Sequence, residues 1–380
     1  MTIKLNYISF FFIILSLMIA NSGVIALFVS ILGYFMLINR LKIFYNISSL
    51  TLLNIFYSYI LIVSLYWNDK YNFYSNIEFI NSLIILFSYS IIIYLILNKN
   101  FVKVKNFIRI YEFILYLNLI IMIIQIVFYL VISVKIIFPW QVDTFSSLRM
   151  PGLMSEPSHN FLLYFPWLIV KEAKKFRKKF VVSFLIAILT ASANVFLLFV
   201  FFLFRNIKNL KIQQISKIIQ YMFIIFLIVI VLSILDPNSI NIINRLQRIS
   251  INEGSTFSRV FKGFIIFSNS KIQHVFFGYG TGNVIESINN YSGNFNYLVK
   301  SEGEYMSGFF SNIFSIGIIG VIFYYVFLFK LMNKELKKIF IYIIIYSFVA
   351  GSSFFNYGFY TLIILSYIYM EGITYDKKNT

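Results

Sequence analysis

The feature that most constrains this chain is a series of apolar runs, each close to bilayer-spanning length, that recurs from one end to the other. A transmembrane helix needs roughly 20 mainly apolar residues. Of the 380 residues, 60% are apolar and 12% are charged, whereas soluble domains are about half apolar and about a quarter charged. The sequence therefore predicts an all-α polytopic membrane protein that folds within a lipid bilayer.

Composition also excludes several kinds of site. The chain has no cysteine and two histidines, which excludes disulfide frameworks, thiolate catalysis and cysteine metal sites and leaves little for zinc or haem. We therefore expect no metal and no cofactor. The net charge of +18 would suggest a nucleic-acid partner in a soluble protein. In a membrane protein, topology explains this charge better, and we expect no nucleic acid.

Apolar runs and the basic residues between them predict the spans. Eight single spans are expected near 7–20, 22–38, 50–67, 78–97, 110–134, 158–170, 217–235 and 306–329. Two further runs, 180–204 and 339–370, have basic residues on both flanks, so the positive-inside rule puts both ends of each run in the cytoplasm. Each run is interrupted by small or polar residues, and we expect two short helices or a re-entrant pair there. The total is about twelve crossings with both termini cytoplasmic.

This topology divides the chain into five parts. They are N-terminal transmembrane helices at 1–134, a first outer-face loop at 135–157, central transmembrane helices at 158–235, a large outer-face loop at 236–305, and C-terminal transmembrane helices with a cytoplasmic tail at 306–380. Most of the 32 lysines and arginines then lie inside, and most of the others lie in the large loop, which the rule discounts because it is long. Long ordered loops are usually functional, so we expect the specific chemistry in the two outer loops.

The first outer loop ends in Arg149-x-x-Gly152-x-x-x-Glu156-Pro157-Ser158, directly before an apolar helix. Pro157 suits the first turn of that helix, and Gly152 permits an irregular backbone. Glu156 lies near a positive helix end, where a carboxylate is stabilised, and it is also a functional candidate. Arg149 opposes the inside bias of basic residues. It therefore needs an anionic partner, either Glu156 or a ligand phosphate.

The large outer loop carries further arginines. Arg245 and Arg248 lie three residues apart on the stretch 241–248, which is typical of a short amphipathic helix at the membrane interface. Such a face would meet lipid headgroups or a pyrophosphate. Arg259 opens a segment with an apolar pattern. The lysines of this loop are explained as solvated charges that pair with nearby carboxylates.

A glycine turn, Gly278-Tyr279-Gly280, closes that segment. Alternating glycines let the backbone turn tightly and present amides to an anion or a sugar hydroxyl, but the Lys-Ser/Thr pair of a nucleotide loop is missing. His274, just before the turn, is a general base or an ordinary residue, and we favour the ordinary interpretation. Glu304, at the outer mouth of a span, is either the acid or base of the site or a solvated carboxylate.

In their order and spacing, these features resemble the Wzy-type O-antigen and capsule polymerases, relatives of the O-antigen ligases. Three motifs carry the resemblance. They are the run from Arg149 to Ser158, Arg259 followed by the glycine turn, and Gly317-x-x-Gly320 in the span after the large loop. The resemblance covers the chain from about residue 149 onward, while the first 135 residues match only as hydrophobic spans.

The resemblance implies a metal-independent glycosyltransferase in the cytoplasmic (inner) membrane. Such enzymes move a growing glycan from undecaprenyl pyrophosphate onto the next lipid-linked repeat unit at the outer face, for lipopolysaccharide O-antigen or capsule. The lipid-linked oligosaccharide is then the substrate, and a chain-length regulator and a flippase are further partners. Arginines would hold the pyrophosphates while a carboxylate acts as base. The arginines expected there are Arg149, Arg259, Arg245 and Arg248, the base is Glu156 or Glu304, and the glycines at the substrate are Gly152, Gly278 and Gly280.

Two departures from the family pattern bear on the alternatives. In the family, an arginine often follows the serine at the middle of the helix pair that corresponds to 180–204, and residues 191–194 contain no arginine. Ligases usually carry a histidine shortly before the Gly-x-x-Gly span, where this chain has Tyr305, Met306 and Ser307. The second departure favours a polymerase over a ligase.

The competing class is a transporter, such as a flippase for the same lipid-linked unit. A flippase should carry charges along a path through the membrane. The span centres carry almost none, so we favour the polymerase.

Overall fold

The protein is described from a computed structural model. The described residues are 2–19, 24–38, 47–71, 76–97, 105–132, 136–141, 150–170, 172, 175–190, 192–206, 256–281, 306–349 and 353–378. All regular elements in these ranges are helical, which confirms the all-α class for this part of the chain. The α-helices, numbered through these ranges, are α1 (Thr2–Met18), α2 (Val24–Ile38), α3 (Ile47–Tyr71), α4 (Asn76–Leu97), α5 (Lys105–Ile132), α6 (Asn160–Ile169), α7 (Phe176–Thr190), α8 (Ala193–Asn206), α9 (Thr256–Asn269), α10 (Ile272–Phe277), α11 (Gly308–Leu331), α12 (Lys334–Val349) and α13 (Tyr357–Lys378).

Four of these helices are long and apolar enough to cross a membrane. Their apolar stretches are Ser48–Trp67, Ile80–Leu97, Ile108–Ile132 and Gly308–Leu331. Two shorter apolar helices contain Ile25–Met36 and Asn194–Asn206. Together these helices indicate a membrane protein. The predicted span at 217–235 lies outside the described residues. The total of about twelve crossings, the location in the cytoplasmic membrane and the cytoplasmic position of both termini stay predictions.

Helix α5 shows the pattern expected of a helix with lipid on one side. Its outward side chains are large and apolar, with Phe113 66% and Val131 76% exposed. Its two mid-helix amide side chains, Asn118 and Gln125, are buried. Exposed apolar area of this kind is costly in water and favourable against lipid tails, whereas buried amides need protein partners. Helix α5 therefore presents these two amides to the protein.

Helix pairs occupy both runs in which we expected them. Helices α7 and α8 share the run 180–204 and pack against each other. Helices α12 and α13 share the run 339–370, and between them the amide of Asn356 donates to the carbonyl of Ser353 over 3.0 Å. These interruptions fall at the small and polar residues that marked them in the sequence.

The chain divides into two compact units. The first consists of Met1–Ser9, Ile31–Val102 and Ile249–Ile368, and the second of Phe10–Ser30, Lys103–Arg248 and Tyr369–Thr380. Within the first unit α11 is the central helix, since it packs against α3, α9, α10 and α12. Of its apolar stretch, 61% is buried, against 28% for that of α5. Within the second unit α6, α7 and α8 pack against one another, and α5 packs against α6 and α7.

Candidate functional site

The segment Met150–Glu156, called here the 150–156 segment, leads into a 3₁₀ turn at Pro157–His159 and then into α6. Side-chain amides of α5 hold its backbone. The amide of Gly152 donates to Oε1 of Gln125 over 2.9 Å, and the amide of Leu153 donates to Oδ1 of Asn118 over 2.6 Å. A buried backbone N–H without a partner would be costly, so these two side chains stabilise the segment against α5.

Amide side chains from other parts of the same unit complete this arrangement. Nε2 of Gln141 donates to the carbonyls of Gly152 and Met154 over 2.7 and 3.0 Å. Nδ2 of Asn160, at the start of α6, donates to the carbonyl of Pro151 over 3.0 Å. The 150–156 segment is therefore held by hydrogen bonds to its backbone from α5, from α6 and from the stretch before it.

Gly152 is the residue that lets the segment lie so close to α5. Its φ is +65°, in the left-handed region, and a Cβ there would lie 2.3 Å from Oδ1 of Asn118. Any other residue would push the segment away from the amide that holds it. The irregular backbone predicted at Gly152 is confirmed, while its contact with substrate stays a prediction.

Glu156 lies at the end of the segment and precedes the 3₁₀ turn. Its backbone is extended, its side chain is half-buried, and Pro157 occupies the first turn as predicted. The hydroxyl of Ser158 donates to Oε2 of Glu156 over 3.2 Å. The Glu156 side chain makes no capping hydrogen bond to the turn. Glu156 is thus a carboxylate on a fixed backbone.

Asn118 and Gln125 were not singled out from the sequence. Nδ2 of Asn118 also donates to Oδ1 of Asn160 over 2.8 Å and to the hydroxyl of Tyr164 over 3.1 Å. The available signal was a pair of amide residues two helical turns apart in an otherwise apolar run, which places them on one face. Polar residues inside spans are usually functional or structural necessities, but only charged residues were weighed there.

A cluster of charges in the same unit was also missed. Nζ of Lys179 lies 2.9 Å from both Oε2 of Glu172 and the carbonyl of Val170. Nζ of Lys175 lies 2.6 Å from Oε1 of Glu112 and 3.2 Å from Oε1 of Glu172. Each of these four charges has an opposite charge as partner, so we interpret the cluster as structural.

Burial acts differently on the members of this cluster. Burial lowers the pKa of Lys179 to about 8, although the nearby Glu172 acts in the opposite direction. Burial alone would raise the pKa of Glu172, but Lys179 and Lys175 together lower it. Because burial disfavours a charge and an opposite charge favours it, the cluster stabilises the charge on Glu172 more than the charge on Lys179.

In the first unit, α11 is broken at Gly317, where φ is +69° and ψ is +169°. The break frees carbonyls that an intact helix would use. The carbonyls of Phe314 and Ser315 accept from the amides of Tyr279 and Gly280 over 2.6 and 3.1 Å. In addition, the hydroxyl of Tyr59 donates to the carbonyl of Ile316 over 2.8 Å. Buried carbonyls that leave a helix need such donors, and here the glycine turn and α3 supply them.

The glycine turn uses its amides differently from our expectation. The amide of Gly278 donates to the carbonyl of His274 over 2.8 Å, and the amide of Thr281 donates to the hydroxyl of Ser64 over 3.2 Å. With the two amides that meet α11, every amide from Gly278 to Thr281 donates within the protein. The turn therefore docks on α11 through these amides, and we correct the expectation that they are open to an anion. Contact of Gly278 or Gly280 with substrate by other atoms stays a prediction.

His274 lies in α10 and is fully buried. Its ring stacks on that of Tyr279 with the centroids 4.2 Å apart and lies against that of Trp67 with the centroids 4.4 Å apart. An imidazole packed between two aromatic rings serves the core of this unit. This agrees with the ordinary interpretation that we favoured for His274.

The remaining predicted site residues divide as follows. Arg259 lies in α9, whose backbone is described there while the position of its side chain is not. Arg149, Arg245, Arg248 and Glu304 lie outside the described residues. Gly152 and Glu156 belong to the second unit, whereas Arg259, Gly278 and Gly280 belong to the first. Within each unit, the structure brings together Gly152 with the backbone that leads to Glu156, and the glycine turn with Gly317.

Comparison with known proteins returned no relatives. No protein-family model, no curated protein and no solved structure matches this chain. The resemblance to polysaccharide polymerases therefore rests on the residue pattern alone, and the reaction and the substrate are matters of proposal.

Proposed function

We propose that the chain is a Wzy-type polysaccharide polymerase of the cytoplasmic membrane. It transfers a growing glycan from undecaprenyl pyrophosphate onto the next lipid-linked repeat unit at the outer face. The observation that carries this proposal is the 150–156 segment, whose backbone is fixed by buried amides and which ends in a half-buried carboxylate at Glu156. Reacting groups work best when rigid, fully hydrogen-bonded surroundings hold them in place.

The reaction requires two things of the protein. The acceptor hydroxyl oxygen attacks the anomeric carbon of the donor sugar, and the bond from that carbon to the pyrophosphate oxygen breaks. The leaving pyrophosphate gains negative charge, which an arginine neutralises, with Arg149 and Arg259 as the candidates. The acceptor hydroxyl loses its proton with help from a carboxylate, Glu156 or Glu304, a step that contributes roughly 10²- to 10⁴-fold in rate.

The proposal is tested in a strain that lacks the gene, complemented with wild type, Arg259→Ala or Lys271→Ala. We expect wild type to restore a ladder of surface polysaccharide on a gel. Arg259→Ala should yield lipid A core with one repeat unit or, where no such core exists, an accumulated single-repeat lipid. Lys271 is an exposed cation in the same part of the chain, and its alanine variant should resemble wild type. Immunoblots of membranes establish equal protein levels.

Other gel patterns would identify other functions. Single repeat units trapped on the cytoplasmic side in the deletion strain would indicate a flippase. Long polymer that accumulates on the lipid carrier in the deletion strain, without transfer to lipid A core, would indicate a ligase. An unchanged ladder from Arg259→Ala at wild-type protein level would remove Arg259 from the site.

A further inference from the structure

The turn that carries Glu156 also carries a histidine, His159. Nδ1 of His159 lies 2.8 Å from the hydroxyl oxygen of Ser155. Ser155 is fully buried, whereas His159 is half-buried. A buried hydroxyl bonded to one ring nitrogen fixes the ring orientation and leaves the other nitrogen, Nε2, for a different partner. This is the geometry of a base and the group that orients it.

The 3₁₀ turn brings Ser155, Glu156 and His159 close together. The amide of His159 donates to the carbonyl of Glu156 over 3.1 Å, which closes the turn. The carboxylate of Glu156 interacts electrostatically with the imidazole. A neighbouring carboxylate stabilises the imidazolium that forms when a histidine accepts a proton. Glu156 therefore favours a charged imidazole at His159, whereas burial of the ring acts in the opposite direction.

The backbone around His159 is also fixed. Asn160, the next residue, is fully buried, and its Nδ2 donates to the carbonyls of Pro151 and Pro157 over 3.0 and 3.2 Å. His159 thus lies between a buried serine and a buried asparagine, each bonded within the same unit. Side chains on such fixed backbone keep the geometry that proton transfer requires.

The two histidines of the chain differ in their surroundings. The ring of His274 is enclosed by Trp67 and Tyr279, while His159 lies beside a half-buried carboxylate in the segment that we propose as the site. A histidine held for packing alone would be expected among aromatic rings, as His274 is. The position of His159 favours chemistry over packing.

We infer that His159 is the catalytic base that takes the proton of the acceptor hydroxyl, with Ser155 as its positioning residue. This inference rests on the proposed polymerase function and replaces the carboxylate base of its proton-transfer step with His159, which leaves Glu156 a supporting role. Nδ1–H donates to the hydroxyl oxygen of Ser155, so Nε2 carries the lone pair. As the acceptor oxygen bonds to the anomeric carbon, its proton passes to Nε2, and the electron pair of the breaking carbon–oxygen bond leaves with the pyrophosphate. Glu156 stabilises the resulting imidazolium, which later returns its proton to water.

The test uses the full chain purified into lipid nanodiscs and, as substrate, the lipid-linked repeat unit extracted from the deletion strain. Rates of polymer formation are compared for wild type, His159→Gln, Ser155→Ala and Ser268→Ala. We expect His159→Gln to lower kcat by about 100-fold or more. Ser155→Ala should lower kcat by a smaller factor with KM unchanged, because the serine orients the base and does not bind substrate. Ser268, an exposed serine of α9, is the matched control and should keep the wild-type rate.

A second measurement covers the case in which His159→Gln does not fold. Wild-type protein in nanodiscs is treated with diethyl pyrocarbonate, and peptide mapping by mass spectrometry distinguishes the two histidines. We expect modification of His159 to remove polymer formation and hydroxylamine to restore it. A modified His159 with full activity overturns the inference, as does a His159 that the reagent cannot reach, since a base that meets substrate must be accessible.

Failure of this inference is distinguishable from failure of the proposed function. Polymer formation that survives His159→Gln but is lost in Arg259→Ala would overturn the role of His159 and leave the polymerase intact. Wild-type protein that forms no polymer from the extracted lipid would overturn the polymerase and the role of His159 together.

Discussion

At the scale of single residues, the ion pair between the buried Lys179 and the half-buried Glu172 has two members whose removal should differ in effect. The side chain of Lys179 is 2% exposed and its pKa falls to about 8 through burial, whereas two lysines lower the pKa of Glu172. Removing Lys179 leaves Glu172 paired with Lys175. Removing the charge of Glu172 leaves Lys179 without its main counterion. The two substitutions should therefore differ in their cost.

We predict that Glu172→Gln lowers the free energy of unfolding by about 3 kcal/mol, as expected for a buried charge that loses its partner. Lys179→Met should have a smaller effect because burial already disfavours that charge. Unfolding in detergent micelles with increasing dodecyl sulfate measures both. Glu335, whose side chain is 53% exposed in its pair with Lys338, is the control, and Glu335→Gln should cost less than about 1 kcal/mol. Equal losses for Glu172→Gln and Lys179→Met would contradict this account.

The 150–156 segment shows which residue roles the sequence could reveal. The left-handed backbone at Gly152 and the place of Pro157 in the first turn follow from local backbone preferences, and both were predicted. The hydrogen bonds from Asn118, Gln125 and Gln141 depend on how distant parts of the chain pack. Local pattern does not contain that information, so these contacts needed the structure.

At the scale of elements, the break in α11 changes the interpretation of a span. Hydropathy predicted one continuous helix at 306–329, and α11 covers that stretch with an interruption at Gly317. Hydropathy measures the preference of side chains for lipid. It does not reveal that the amides of Tyr279 and Gly280 donate to carbonyls of α11. Gly320 allows α11 to pack closely against α3, since a Cβ there would lie 2.8 Å from the ring of Tyr59 on α3.

We predict that Gly317→Ala destabilises the protein more than Gly320→Ala. A Cβ at Gly317 would lie 2.1 Å from the carbonyl oxygen of Phe276, and its φ of +69° is strained for alanine, which together cost about 2 kcal/mol or more. At Gly320 the nearest atom belongs to the side chain of Tyr59, which can move. Unfolding in dodecyl sulfate compares the variants, and hydrogen exchange at Tyr279 and Gly280 reports whether the glycine turn has left α11. Equal costs, with both amides still protected, would contradict this prediction.

At the scale of the whole molecule, the predicted sidedness can be measured because the chain has no cysteine. We predict that Ser287→Cys, in the large outer loop, reacts with a membrane-impermeant maleimide in intact cells. Gln214→Cys, between basic residues assigned to the cytoplasm, should react only after permeabilisation. Wild type should not react under either condition. The reverse pattern would invert the topology and remove the outer-face site.

The positions of the described helices could be predicted from the sequence, whereas the way these helices assemble into two units could not. Helix positions follow from apolar run length, as with the predicted span at 22–38 and the observed α2, Val24–Ile38. The two units combine segments far apart in the chain, such as Ile31–Val102 with Ile249–Ile368. Such pairings depend on side chains that meet in space, and run length and charge bias do not encode them.

The docking of the glycine turn on α11 also has an evolutionary consequence. Its hydrogen bonds run from main-chain amides at Tyr279 and Gly280 to main-chain carbonyls, so they impose no choice of side chain at those positions. Selection acts instead on Gly278 and Gly317, since a Cβ on Gly278 would lie 2.6 Å from the backbone of α11 and a Cβ on Gly317 would lie 2.1 Å from the carbonyl oxygen of Phe276. Neither glycine can be replaced as long as the backbones of the glycine turn and α11 lie in direct contact. Descendants of this chain should therefore keep both glycines or lose both together, while their neighbours drift.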